Sequence, residues 1–166
     1  MDTRAEQFPK NLVNFDWQDY RTYHSHSAGH RVSGIIRIAP DVYSSQLGNS
    51  RDVLVYLPPS YHRSDQHYPV IYMQDGQNLF DNATSYAGEW GVDETMEELG
   101  QQEGIEAIIV GIPNSGLHRI DEYSPFHDRR LGGGRGDDYL RFIMHTLKPQ
   151  IDQEFRTLPE RKFTGI

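Results

Sequence analysis

Residues 68–78 read Tyr68-Pro69-Val70-Ile71-Tyr72-Met73-Gln74-Asp75-Gly76-Gln77-Asn78. Pro69 opens a short apolar run, Val70 to Met73, which stops abruptly in a polar turn at Asp75-Gly76-Gln77-Asn78. A run of this kind between such breakers predicts a strand that ends in a tight turn. Downstream, Ile105 to Ile112 is the most apolar stretch of the chain, and Pro113-Asn114-Ser115-Gly116 breaks it. Its shortness and β-branching predict a second buried strand. Between the two, Val92, Met96 and Leu99 recur at helical spacing, with acidic residues early, where the helix dipole favours them. Residues 81 to 91 read as a loop.

Upstream, Gly34 to Ala39 and Arg51 to Leu57 read as strands, separated by turn chemistry over residues 44 to 50. In the second, Val53, Val55 and Leu57 alternate with Asp52, Leu54 and Tyr56, so both faces are largely apolar. That predicts a sheet covered on both sides. Downstream, residues 113 to 136 read as one long loop ending in Gly132-Gly133-Gly134-Arg135-Gly136, and a loop of that length is usually functional or disordered. Asp137 or Asp138 is a candidate cap for a helix with Leu140, Ile143, Leu147, Ile151 and Phe155 on one stripe. Pro149 should kink or split that helix. Arg161 to Ile166 looks like the opening of another strand. Strands alternating with helices imply an α/β fold, a mainly parallel sheet with helices on both faces. Residues 34–166 read as one domain portion, and residues 1–33 as an N-terminal segment that Leu12, Phe15 and Trp17 dock on the body.

The 166 residues are 36% apolar and 24% charged, the balance of an ordinary globular chain. No apolar run approaches the roughly 20 residues of a membrane span, so no membrane partner is expected. Met1 to Lys10 lacks a signal-peptide pattern, which predicts a cytoplasmic chain unless an export signal lies elsewhere. There is no cysteine, which excludes disulfides, thiolate metal sites and a cysteine nucleophile in these residues. A net charge of −8 repels phosphate backbones and argues against nucleic acid.

Several segments, in order, resemble the esterase family of α/β hydrolases that includes esterase D, the enterochelin esterases and the feruloyl and acetyl xylan esterases. They are Val55-Tyr56-Leu57-Pro58-Pro59-Ser60-Tyr61, the stretch 68–78, Val110-Gly111-Ile112-Pro113-Asn114, then Arg119, Glu122-Tyr123-Ser124-Pro125, the glycine cluster, and Leu147 to Leu158. The likeness runs from about residue 50 onward. It implies an incomplete α/β-hydrolase fold. In the family, a strand beginning like Arg161 to Ile166 runs into a Gly-x-Ser-x-Gly elbow, its serine about four residues beyond Ile166, and the acid and histidine follow later. None of the three matching positions lies in these residues. The resemblance further implies that the polar turn supplies one oxyanion-hole N–H, from Gly76 or Gln77, a donor worth about 3 kcal/mol of barrier. Taken alone, the same residues are a tight turn with Gly76 at positive φ.

Asn78, Arg119, Glu122 and Tyr123 are candidates for the substrate pocket, since ligands of open α/β sheets bind at the C-terminal ends of strands. The other reading is an Arg119–Glu122 ion pair with Tyr123 packed beside it. His24, His26 and His30 read as a solvated loop, and Glu94, Glu97 and Glu98 as a solvated helix face. No metal ligand set and no cofactor is expected. The implied activity is that of a metal-independent serine carboxylesterase acting on a small-molecule ester, the 166 residues alone being inactive. A non-catalytic module with the hydrolase scaffold and an acyltransferase on the same fold are the alternatives. In the family the third strand pairs with the strand starting at Arg161, and if that strand is short the open edge predicts marginal stability or aggregation.

Overall fold

The computed structural model describes residues 14–166, so Leu12 and Met1 to Lys10 lie outside the described residues. In chain order the elements are β1 (Gln18–Asp19), α1 (Tyr20–Tyr23), β2 (Ile35–Ser44), β3 (Asn49–Leu57), β4 (Val70–Gln74), α2 (Val92–Glu103) and β5 (Ile108–Ile112). There follow α3 (Arg119–Tyr123), β6 (His127–Asp128), β7 (Gly132–Gly133), α4 (Gly136–Phe142), α5 (Lys148–Glu154) and β8 (Thr164–Gly165). The main sheet runs β1-β2-β3-β5-β4-β8. Its β5-β4-β8 half is parallel, and β1, β2 and β3 join it through antiparallel pairings.

The alternation within β3 divides the core in two. Val53, Val55 and Leu57 face a cluster with Phe142, Ile143, Leu147 and Ile151, under α4 and α5. Leu54 and Tyr56 face a second cluster with Met96, Leu79 and Phe80, under α2. Helices therefore cover both faces, because the strand is apolar at every second residue on each side. Phe15 and Trp17 pack against the first cluster, and β1 pairs with β2, so the described part of the N-terminal segment, residues 14–33, is docked on the sheet through a regular element.

Several boundaries differ from the sequence reading. β2 extends through a bulge between Ala39 and Val42, where Asp41 has φ 53°. An extra residue there lets the strand continue past the expected break. The stretch 113–136 is not one loop: it holds a turn of 3-10 helix, α3 and the β6–β7 ribbon. Asp137 and Asp138 lie in the first turn of α4 and do not cap it; Arg135 is at the cap position, with no side-chain cap bond. Pro149 follows a π-helical stretch, Ile143–Leu147, that joins α4 to α5. The wider turn accommodates the missing N–H without breaking the helical path. Leu140 is consequently off the buried face, which runs through Tyr139, Ile143, Leu147 and Ile151. The last strand is short, Thr164–Gly165, and pairs with β4 at Val70 and Ile71.

Candidate functional site

The end of β4 is built around Asp75. Its φ is 54°, the left-handed region that aspartate tolerates better than most residues. Five hydrogen bonds hold it there. Arg119 donates through Nε to Oδ1 at 2.9 Å and through Nη2 to Oδ2 at 2.7 Å. Asn114 Nδ2 donates to Oδ1 at 2.7 Å. The Asp75 N–H donates to the Tyr123 hydroxyl at 3.1 Å, and that hydroxyl lies 3.3 Å from Oδ1. The Arg119 bonds hold the Asp75 carboxyl below the ordinary carboxylate range, and the same bonds push the guanidinium up.

Gly76 has no positive φ; the left-handed residue of the turn is Asp75. Glycine is required at 76 for another reason. A Cβ there would stand 2.5 Å from the Ile112 nitrogen and 2.6 Å from the Gly111 carbonyl carbon. The turn thus lies directly on the β5 backbone, and Gly111 leaves the room on the other side. Gly76–Asn78 then forms one 3-10 turn, closed by Asn78 N–H to Asp75 O at 2.9 Å. The N–H groups of Gly76 and Gln77 precede that closure and meet no acceptor among the described residues.

Around this turn the candidates separate. Gln77 Oε1 accepts the Asn114 N–H at 3.1 Å. Asn78 fastens the following loop, its Oδ1 accepting from Tyr86 N–H at 3.0 Å and its carbonyl from Trp90 N–H at 2.8 Å. Two cavities meet at Asp75 and Arg119. One, of about 720 Å³, is lined by Met73, Trp90, Tyr123, Pro125 and Ile166 among others. The other, of about 900 Å³, is lined by Gln77, Asn78, Tyr86, Asn114 and Leu117 among others.

Arg119 and Glu122 do not pair with each other. Both lie on α3, but Glu122 turns inward and takes a fork from Arg51, Nη1 to Oε2 at 2.8 Å and Nη2 to Oε1 at 2.5 Å, with Asn49 Nδ2 at 3.0 Å. Both side chains are buried. Burial alone raises the Glu122 carboxyl, but the bonds from Arg51 and Asn49 outweigh it and hold it below its usual value. Arg51, near the start of β3 and two residues before its apolar run, was the sequence signal for a buried carboxylate partner. Asp75 and Asn114 stood in the quoted segments, but their mutual bond needs two loops 39 residues apart to meet.

The histidine loop is not simply solvated. His30 Nδ1 lies 2.8 Å from Oδ2 of buried Asp81, which also accepts from the Tyr20 hydroxyl at 2.8 Å, and His24 stacks on His30 at 4.0 Å. On α2, Glu97 is half-buried and accepts the Tyr56 hydroxyl at 3.0 Å.

Residues 44–166 match the sequence profile of the family described as "Putative esterase". The chain belongs to this esterase family. It is 32% identical over 126 residues to the uncharacterized protein YbbA of Bacillus subtilis, covering 72% of this chain and 46% of YbbA. A second B. subtilis relative, the uncharacterized protein YjcH, is 33% identical over 116 residues, covering 69% of this chain and 43% of YjcH. The chain thus spans about half the length of the curated relatives it matches. Among solved structures, an IroE-like serine hydrolase from Shewanella oneidensis superposes with a TM-score of 0.56 at 27% identity, over 70% of this chain and 38% of that one. The ferulic acid esterase AmCE1/Fae1A from Anaeromyces mucronatus superposes with a TM-score of 0.51 at 17% identity, over 93% and 54%. At that identity the second likeness speaks for the fold alone. Both neighbours and the sheet order described above make this esterase chain an α/β-hydrolase scaffold. No helix among the described residues is long and apolar enough to cross a membrane.

Proposed function

We propose that these residues form the scaffold and one half of the oxyanion hole of a serine carboxylesterase acting on small-molecule esters. The observation that carries this reading is the pair of N–H groups at Gly76 and Gln77. They stand at the C-terminal end of a parallel strand, without acceptors among the described residues, on a turn fixed by Asp75 and seated on β5. Acyl transfer builds negative charge on a carbonyl oxygen, and N–H groups oriented in advance stabilise it without reorganisation. In this reading a serine beyond the β8 strand attacks the ester carbonyl. Histidine relays the proton, and water releases the acyl-enzyme. Asn78 and Tyr123 wall the substrate space, Arg119 positions Asp75, and Glu122 braces α3 from inside. Residues 34–166 act as the N-terminal portion of one hydrolase domain.

The test uses two proteins. The 166-residue chain is expected to show no turnover of p-nitrophenyl acetate above background. A chimera joining Ile166 to the part of YbbA that follows its matched segment is expected to hydrolyse the same ester. Turnover by the first, or a folded but inert second, overturns the reading. In the active chimera, Gln77→Pro removes one N–H while Gln77→Ala keeps it. A loss of kcat of about 10²–10³-fold in the first alone assigns the donor to Gln77. Equal activity in both excludes Gln77 as that donor.

A further inference from the structure

The loop that follows the oxyanion turn ends in an acidic corner. Glu89, Asp93 and Glu94 each bring one carboxylate oxygen to within 4.8 Å of the others. Asp93 is fully buried. Its Oδ2 accepts the Ser33 N–H at 2.6 Å, and its Oδ1 has no partner. Oε1 of Glu89 is likewise enclosed and unpartnered. Glu94 Oε1 accepts the Ser33 hydroxyl at 2.9 Å. Among the described residues no lysine, arginine or histidine forms an ion pair with any of the three. The first turn of α2 offers its dipole, but Gly91 at the cap position brings no side chain. Enclosed carboxylate oxygens without donors are costly, and convergent ones repel each other.

We propose that this corner binds a divalent hard cation of the calcium type, ligated by Glu89, Asp93 and Glu94. Ligand oxygens around calcium stand at 2.3–2.6 Å from the ion, so two of them lie at most about 5 Å apart. The three oxygens meet that limit. Their chemistry, carboxylate oxygen alone, suits calcium or magnesium and not zinc or copper. Calcium's irregular shell of 6–8 oxygens fits a site that combines a loop with a helix start and leaves further positions to water. The site ties residues 89–94 to Ser33, and the same loop carries Thr84, Ser85 and Tyr86, which wall the larger cavity. The cation therefore steadies one wall of the candidate site from behind. This departs from the sequence reading, which assigned no metal.

The chain stripped with a chelator is titrated with calcium chloride by calorimetry and melted with and without the ion. One calcium per chain and a raised Tm are expected. Asp93→Asn should weaken binding by at least about tenfold. Glu94→Gln, at an exposed position, gives the same direction should Asp93→Asn fail to fold. Terbium emission excited through Trp90, the residue after Glu89, should be quenched by calcium competition. No saturable binding, undiminished binding in a folded variant, or binding of magnesium without calcium overturns the assignment.

Discussion

At the scale of single residues, two glycines and one ion pair make separable predictions. Gly104 ends α2 at φ 69°, and a Cβ there meets nothing within 4 Å. Gly104→Ala should therefore cost only the left-handed conformation, about 1–2 kcal/mol. Gly76→Ala adds no such penalty but drives a Cβ into the β5 backbone, so it should cost more than Gly104→Ala and disturb the sheet. Urea denaturation of both variants orders them; a milder effect at 76 would contradict the seating of the turn on β5. Glu122→Gln leaves Arg51 buried without its charge partner, and a loss of about 3–5 kcal/mol is expected. Replacing both, Arg51→Met with Glu122→Leu, should recover most of that loss, because the desolvation cost goes with the charges. A double variant as weak as the single one would argue against a simple buried pair.

At the scale of elements, the π-helical stretch decides which residues enter the core. The extra width before Pro149 keeps Ile143, Leu147 and Ile151 on the sheet and puts Phe142 beside Arg51, its ring centre 5.3 Å from the guanidinium carbon. Phe142 is fully enclosed, so Phe142→Ala should cost about 3–5 kcal/mol, read from the denaturation midpoint. Leu140, which the apolar spacing puts on the same stripe, is 45% exposed, and Leu140→Ala should change stability little. The strands were legible because each is short, β-branched and bounded by proline or glycine. The stretch 113–136 was not, since α3 and the β6–β7 ribbon are held by tertiary bonds such as Gly133 N–H to Asp121 at 2.7 Å. Short elements of that kind carry no periodicity of their own.

For the whole molecule, the carboxylates set a pH window. Asp75, Asp81 and Glu122 are held below their ordinary values. Their stabilisation is complete above the unfolded pKa, about 4, and is lost as pH falls through the folded values. Asp93 is the opposite case, pushed up to about 7 by burial. Its folded form resists ionisation, so the chelated chain should lose stability as pH rises from about 4 through that value. A Tm profile with its maximum between, flattened on the upper side by calcium, is expected; a profile rising steadily to pH 8 would contradict it. The edge of the sheet makes a second prediction. β8 covers β4 only at Val70 and Ile71, leaving Tyr72 to Gln74 unpaired on that side among the described residues. Tyr86 and Leu117 also stand almost fully exposed. Sedimentation should show self-association that grows with concentration, whereas a monomer at all concentrations would argue that the edge is protected.

The sequence by itself determined the layers. Alternation in β3, the apolar run of β5 and the period of α2 are local patterns, and burial on two faces follows from them without any knowledge of partners. It also carried the polar turn at residues 75–78, because a strand cannot continue through it. Only the tertiary structure decided who meets whom at that turn. Asp75 with Arg119, Glu122 with Arg51 and Gly76 against Ile112 join residues 36 to 71 positions apart. Which carboxylate finds which cation depends on the direction each side chain leaves its element once the sheet has closed. Spacing along the chain does not contain that direction. The acidic corner at Glu89, Asp93 and Glu94 is the same case, ordinary loop and helix-start residues until burial left two oxygens without partners.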